Sequence, residues 1–180
     1  MIIIGLTGFK GSGKSTVARY LAEEHGFKRI NFKDSLIEEM LERLPNTLAE
    51  ISRVCEMSVD DLFELKPPLM RALMSNYGTE VRRGDDVDYW VNQYLKKVDN
   101  NLRIITDDVR FWNEYKAVKS KEGIIIRVER DDITEGGTHQ SETEQIEFEA
   151  DFTIKGKAGS HKEIFEQIES ILDTIKQNTD

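Results

Sequence analysis

The chain has 180 residues, a formal net charge of −9, 38% hydrophobic and 33% charged residues. That is long enough for one domain with a hydrophobic core, and the balance is that of a globular chain, not a disordered one. The acidic charge argues against holding a long polyanion by non-specific attraction. A single cysteine, Cys55, excludes an intrachain disulfide and a cysteine metal cluster.

Cys55 reads as a small buried apolar residue in a reducing setting. No stretch reaches the roughly 18–20 apolar residues that a membrane span needs. The opening MIIIGLTG has no basic n-region and reads as a buried strand, not as a signal peptide. The expectation is a cytoplasmic protein with no nucleic-acid and no membrane partner.

The pattern predicts a strand at Ile2–Thr7 and a helix over Lys14–Glu24, with Val17, Ala18 and Leu21 facing inward. A second strand is expected at Phe27–Phe32. The spacing of Leu36, Ile37, Met40, Leu41 and Leu44 predicts a helix over Ser35–Leu44, interrupted at Pro45 and Asn46. Leu48–Tyr77 reads as further helix, broken near Pro67 and Pro68, and Val87–Val98 as another. Leu102–Thr106, Gly123–Arg130 and Ala150–Gly156 read as strands, with a short helix at Asn113–Lys121. A closing helix begins at Ser160, which with Glu163 forms a capping-box pattern. Short apolar strands alternating with helices predict an α/β fold, a parallel sheet covered on both faces, with ligands beyond the carboxyl ends of its strands.

Polar clusters fall at those ends. Gly8-x-x-x-x-Gly13-Lys14-Ser15 lies between a strand and a helix and matches a phosphate-binding loop. Gly8, Gly11 and Gly13 let the backbone approach phosphate oxygens, with N–H groups from Gly11 through Ser12 and Lys14 to Ser15 and Thr16 opening the helix. Lys14 is expected to reach the β- and γ-phosphates of ATP and Ser15 to bind Mg²⁺. No NKxD or DxxG stretch supports a GTP switch, and helicases and motors are usually larger. A small kinase or a non-catalytic nucleotide-binding module remains.

Three further clusters bear on that choice. LRIITDDVRFWNE releases Asp107, Asp108 and Arg110 after a strand: a carboxylate for Mg²⁺ and a planar fork for phosphate. Arg71, Arg82 and Arg83 flank a break at Gly78-Thr79 in a helical insertion suited to an acceptor. Arg127 and Arg130 precede the Gly136-Gly137 span, which reads as a short lid, with His139, Ser141 and Glu142 after it. His25 and His161 read as surface residues.

GxxGSGKST (Gly8–Thr16), GTEVRR with Tyr89-Trp90, DVRFxNE (Asp108–Glu114) and HxSE (His139–Glu142) together resemble the deoxynucleoside monophosphate kinases of phages and some bacteria. The resemblance implies a P-loop NTPase three-layer fold with a five-stranded parallel sheet. It implies one domain over 1–180, with a helical acceptor-binding region at about 35–98 and a lid at about 131–148. It implies transfer of the γ-phosphoryl group of Mg·ATP to a (deoxy)nucleoside monophosphate, giving the diphosphate for nucleotide biosynthesis. Lys14, Arg83, Arg110 and Arg130 would be catalytic, and Lys33, Asp34, Arg71, Arg83, Asp108, Arg110 and Glu142 would line the acceptor. Ser15 and Asp108 would hold the metal, although the doubled Asp107-Asp108 leaves the choice of carboxylate open. NFKDSL (Asn31–Leu36) stands where the family reads FADPLK, with Ser35 in place of the proline. A homodimer, and the host cytoplasm for a phage-encoded protein, are implied in the same way. A phosphomevalonate-like kinase resembles the same pattern. Stacking of a base on Tyr77, Trp90 or Trp112 would favour a nucleotide.

Overall fold

A computed structural model describes residues 1–98, 102–133 and 143–177. The chain divides into two compact units: Met1–Asn31 with Lys97–Asp180, and Phe32–Lys96.

The first unit is a five-stranded parallel sheet in the order β2-β3-β1-β4-β5. Its strands are β1 (Ile2–Thr7), β2 (Lys28–Arg29), β3 (Arg103–Thr106), β4 (Ile124–Arg130) and β5 (Phe152–Gly156). β1 lies in the middle, with Ile4 beside Ile105 on one neighbour and Ile124 on the other. Isoleucine runs with no polar alternation suit strands covered on both faces, where β-branched side chains pack without losing much rotamer freedom. α1 (Lys14–His25) and a long closing helix (His161–Gln177) share one core with the sheet. Val17, Ala18 and Leu21 meet Ile4, Leu6 and Ile126 there, and Ile164, Ile168 and Ile171 extend it. The helix Trp112–Ser120 packs on β1 and β4.

β2 is shorter than the expected Phe27–Phe32, because Phe32 already starts a helix. The ladder persists one residue further only through Ile30 N–H donating to Ile105 O at 3.1 Å.

The second unit is helical: α2 (Phe32–Arg43), α3 (Pro45–Cys55), α4 (Val59–Leu65), α5 (Pro68–Ser75), a π-helix (Asn76–Arg83) and α6 (Tyr89–Lys97). The sheet unit's remaining helices are then α7 (Trp112–Ser120) and α8 (His161–Gln177). Pro45 and Pro68 open helices, where a missing N–H costs nothing, and Ser58 Oγ caps α4 by accepting from Asp61 N–H at 3.1 Å. Leu36, Met40, Leu48, Ile51, Leu62 and Met70 form this unit's own core. Cys55 is half-buried against it, not fully enclosed. Gly78-Thr79 is no break: both residues lie inside the π-helix, where one extra residue per turn replaces the expected interruption. No helix among the described residues is long and apolar enough to cross a membrane.

Candidate functional site

The loop after β1 is shaped by backbone crowding. A Cβ on Gly8 would lie 2.2 Å from Val128 O, and Gly8, Gly11 and Gly13 have φ of +135°, +82° and +105°. Only glycine accepts both the close approach of β4 and these dihedrals cheaply. The loop closes on itself through Ser12 N–H to Phe9 O at 3.1 Å, and α1 starts at Lys14, presenting its first N–H groups at the loop. Ser12 is buried, Thr16 half-buried and Ser15 exposed. The Lys14 ammonium donates to the carbonyls of Gly8 and Phe9, the latter at 2.8 Å. A cation is thus fixed over the cradle.

Ser15 Oγ–H donates to Asp107 Oδ2 at 3.0 Å. Asp107, just beyond β3, thus stands against the loop. Its side chain is 1% exposed, and its N–H is held by Asn31 Oδ1 at 2.9 Å. Arg29 Nη2 donates to the same Oδ2 at 2.5 Å. Arg29 belongs to none of the quoted motifs, and Asn31, the first residue of NFKDSL, has no role assigned to it there. The signal was topological: β2 runs parallel to β3, with Arg29 beside Ile105, two residues before Asp107.

Asp108 is buried too. Beyond it the chain turns sharply, and the turn is held by Glu114, 3% exposed, whose Oε2 accepts from Arg110 N–H at 2.8 Å and Phe111 N–H at 3.2 Å. The glutamate of DVRFxNE thus fixes the backbone that presents half-buried Arg110. Trp112 N–H donates to Glu144 Oε2 at 2.9 Å, tying in the 3₁₀ turn Glu144–Glu147.

At the end of β4, Arg130 Nη1 donates to Gly11 O at 2.9 Å and its Nε to Asp132 at 2.6 Å. Arg127 donates to Phe148 O at 2.7 Å, a structural anchor. Buried Gln145 accepts from Gly8 N–H at 3.3 Å. A cavity of about 330 Å³ lies here, lined by Gly8, Ser12, Arg127, Arg130, Gln145 and Lys155 among others. His139, Ser141, Glu142 and the Gly136-Gly137 span lie outside the described residues.

In the helical unit, Lys33 and Asp34 are half-buried in the first turn of α2, Arg71 is exposed on α5, and Arg83 is half-buried at the end of the π-helix. Arg82 is engaged with Glu39 of α2 and lies 5.3 Å from the ring centroids of both Tyr77 and Tyr89. Glu39 also accepts from Tyr77 Oη–H at 2.7 Å and Tyr89 Oη–H at 2.5 Å. Burial pushes the Glu39 carboxyl up, but the hydrogen bonds from Tyr89, Tyr77 and Arg82 outweigh it and hold the group below its ordinary value. Tyr77 and Trp90 are core residues, the indole donating to Gly78 O at 2.9 Å, so neither ring is offered to a base. Trp112 is half-buried, edge-on to Phe148.

A glycine loop between β1 and a helix N-terminus, with its lysine, its serine and a carboxylate just beyond the neighbouring strand, defines a P-loop α/β protein. The Ser15 hydroxyl and the Asp107 carboxylate are hard oxygen donors that fit Mg²⁺, which takes few protein ligands and keeps phosphates and waters. Over 98% of the chain, and 99% of the other protein, the sequence is 28% identical to "Putative deoxynucleotide monophosphate kinase" of Acanthamoeba polyphaga mimivirus. The chain thus resembles the nucleoside monophosphate kinases along nearly its whole length. No family model matches. Among solved structures, TT1252 from Thermus thermophilus is similar at a TM-score of 0.44 and 20% identity, covering 96% of this chain and 97% of that one. Shikimate kinase from Bacteroides thetaiotaomicron is similar at 0.46 and 14%, covering 97% and 98%.

Proposed function

We propose that the protein is a kinase that transfers the γ-phosphoryl group of ATP to a (deoxy)nucleoside monophosphate. The observation that carries this reading is the joint geometry of Lys14, Ser15 and Asp107 at the loop. Arg110, half-buried three residues after Asp107, is the arginine we assign to a second phosphate. The similarity to the mimivirus protein supports the acceptor class.

The loop N–H groups and Lys14 bind the donor phosphates. With nucleotide bound, phosphate oxygens would replace the Gly8 and Phe9 carbonyls as partners of the Lys14 ammonium, which would stabilise negative charge on the donor phosphates. Arg110 binds the acceptor phosphate, and Arg83 does the same for the helical unit. Lys33, Asp34 and Arg71 contribute to acceptor binding, and Arg130, seated on Gly11 O, neutralises charge on the moving phosphoryl group. The acceptor oxygen is already anionic, so positioning and charge stabilisation suffice and no covalent nucleophile is needed. Ser15 and Asp107 are the residues we assign to Mg²⁺, in preference to Asp108, because they touch. When bound, the metal supplies charge neutralisation at the phosphates.

The test is mass-spectrometric detection of a nucleoside diphosphate made from Mg·ATP and a dNMP, with Lys14→Ala as the control. Product from the wild type and none from the variant is expected. Equal product from both rules out this loop as the donor site.

A further inference from the structure

The Asp107 carboxylate already carries a cation. Its Oδ2 receives both the Ser15 hydroxyl at 3.0 Å and Arg29 Nη2 at 2.5 Å. The two partners differ in freedom. Asp107 is 1% exposed in its side chain and pinned through its N–H to Asn31, whereas the Arg29 side chain is 41% exposed and reaches in from the two-residue strand β2. A buried carboxylate is costly without a compensating charge, and a long, half-solvated arginine can supply it and withdraw. A divalent cation on Ser15 and Asp107 would meet a guanidinium at the same oxygen, and two cations that close repel.

We infer that Arg29 is a built-in counter-cation for Asp107, displaced when a divalent cation arrives with nucleotide. Arg29 neutralises the carboxylate when no metal is bound. It weakens metal binding, so that the metal takes the site only in company with phosphates. This rests on the assignment of Ser15 and Asp107 to the metal. Arg29 is a positioning residue: it acts through Asp107 and makes no contact with the reacting atoms.

The test is Mn²⁺ binding in the presence of ADP, read from the free Mn²⁺ signal by electron paramagnetic resonance, on wild type, Arg29→Met, Arg29→Lys and Asp107→Asn. Arg29→Met should bind Mn²⁺ about five- to tenfold tighter than wild type, the scale of one screened charge interaction, with Arg29→Lys in between. Melting adds a second readout. Arg29→Met should melt below wild type in EDTA, and the gap should close with Mg·ADP. A merely structural arginine would leave the gap unchanged. Unchanged or weaker Mn²⁺ binding by Arg29→Met, with Asp107→Asn impaired, overturns the exchange and leaves the metal assignment standing. Equal binding by wild type and Asp107→Asn overturns both.

Discussion

Around Gly8–Thr16 the decisive contacts are made by backbone: a carbonyl of β4 against Gly8, loop carbonyls on Lys14, a helix N-terminus. In Phe32–Lys96 they are made by side chains. There Glu39 gathers Tyr77, Tyr89 and Arg82 from the π-helix and α6, and Trp90 closes on Gly78 O. The two regions should therefore fail differently. The loop fails when its backbone or its lysine is disturbed, and the helical unit fails when one carboxylate loses its donors.

The largest effect is expected at the loop. Lys14→Ala should lower kcat by at least about 10³-fold, the scale of a lost catalytic cation, with the far-ultraviolet circular dichroism of the wild type. Gly8→Ala should abolish ADP binding in calorimetry, because its Cβ would stand 2.2 Å from Val128 O at a φ of +135°. Arg110→Ala should also cost on the order of 10³ in kcat/KM for the acceptor, with ADP affinity retained. Wild-type turnover by that variant would remove Arg110 from the site.

Glu39→Ala tests the other side of the comparison. It strands Arg82 beside two tyrosines and should cost about 2 kcal/mol in urea unfolding, less than a fully buried pair would. Acceptor KM should rise more than kcat falls, since Arg83 ends the same π-helix. An unchanged urea midpoint would mean that packing alone holds the unit.

The smallest effect is at the surface of the sheet unit. Glu169 accepts from Tyr20 Oη–H at 2.5 Å and pairs with His25 at 2.8 Å. The Tyr20 hydrogen bond, and then His25, hold its carboxyl below the ordinary value, while the same contact pushes Tyr20 up to about 12. A lowered carboxyl contributes stability above its unfolded pKa of about 4.3, lost as pH falls through the folded value. Melting temperature should therefore drop as pH falls below about 4.3, and Tyr20→Phe should flatten that limb.

The same contrast explains what the sequence made legible. β1, β3, β4 and the loop follow from isoleucine runs and glycine spacing, which act locally. The contact of Asp107 with Ser15 needed the neighbouring placement of β1 and β3, and Arg29 needed the pairing of β2 with β3. In the helical unit, the engagement of Arg82 with Glu39 of α2 needed the fold, because the two lie far apart in the sequence. Tyr77 and Trp90 looked available to a base until their burial was known. His25 looked like a surface residue, yet its side chain is only 19% exposed and bound to Glu169.

The most direct test of the central claim is acceptor-dependent ADP release from Mg·ATP by the purified protein. The common nucleoside and deoxynucleoside monophosphates would be assayed one by one, with phosphomevalonate as a control. At least one nucleotide should stimulate ADP release strongly, and phosphomevalonate should not. Stimulation by phosphomevalonate alone, or slow phosphate release that no acceptor accelerates, would contradict the assignment.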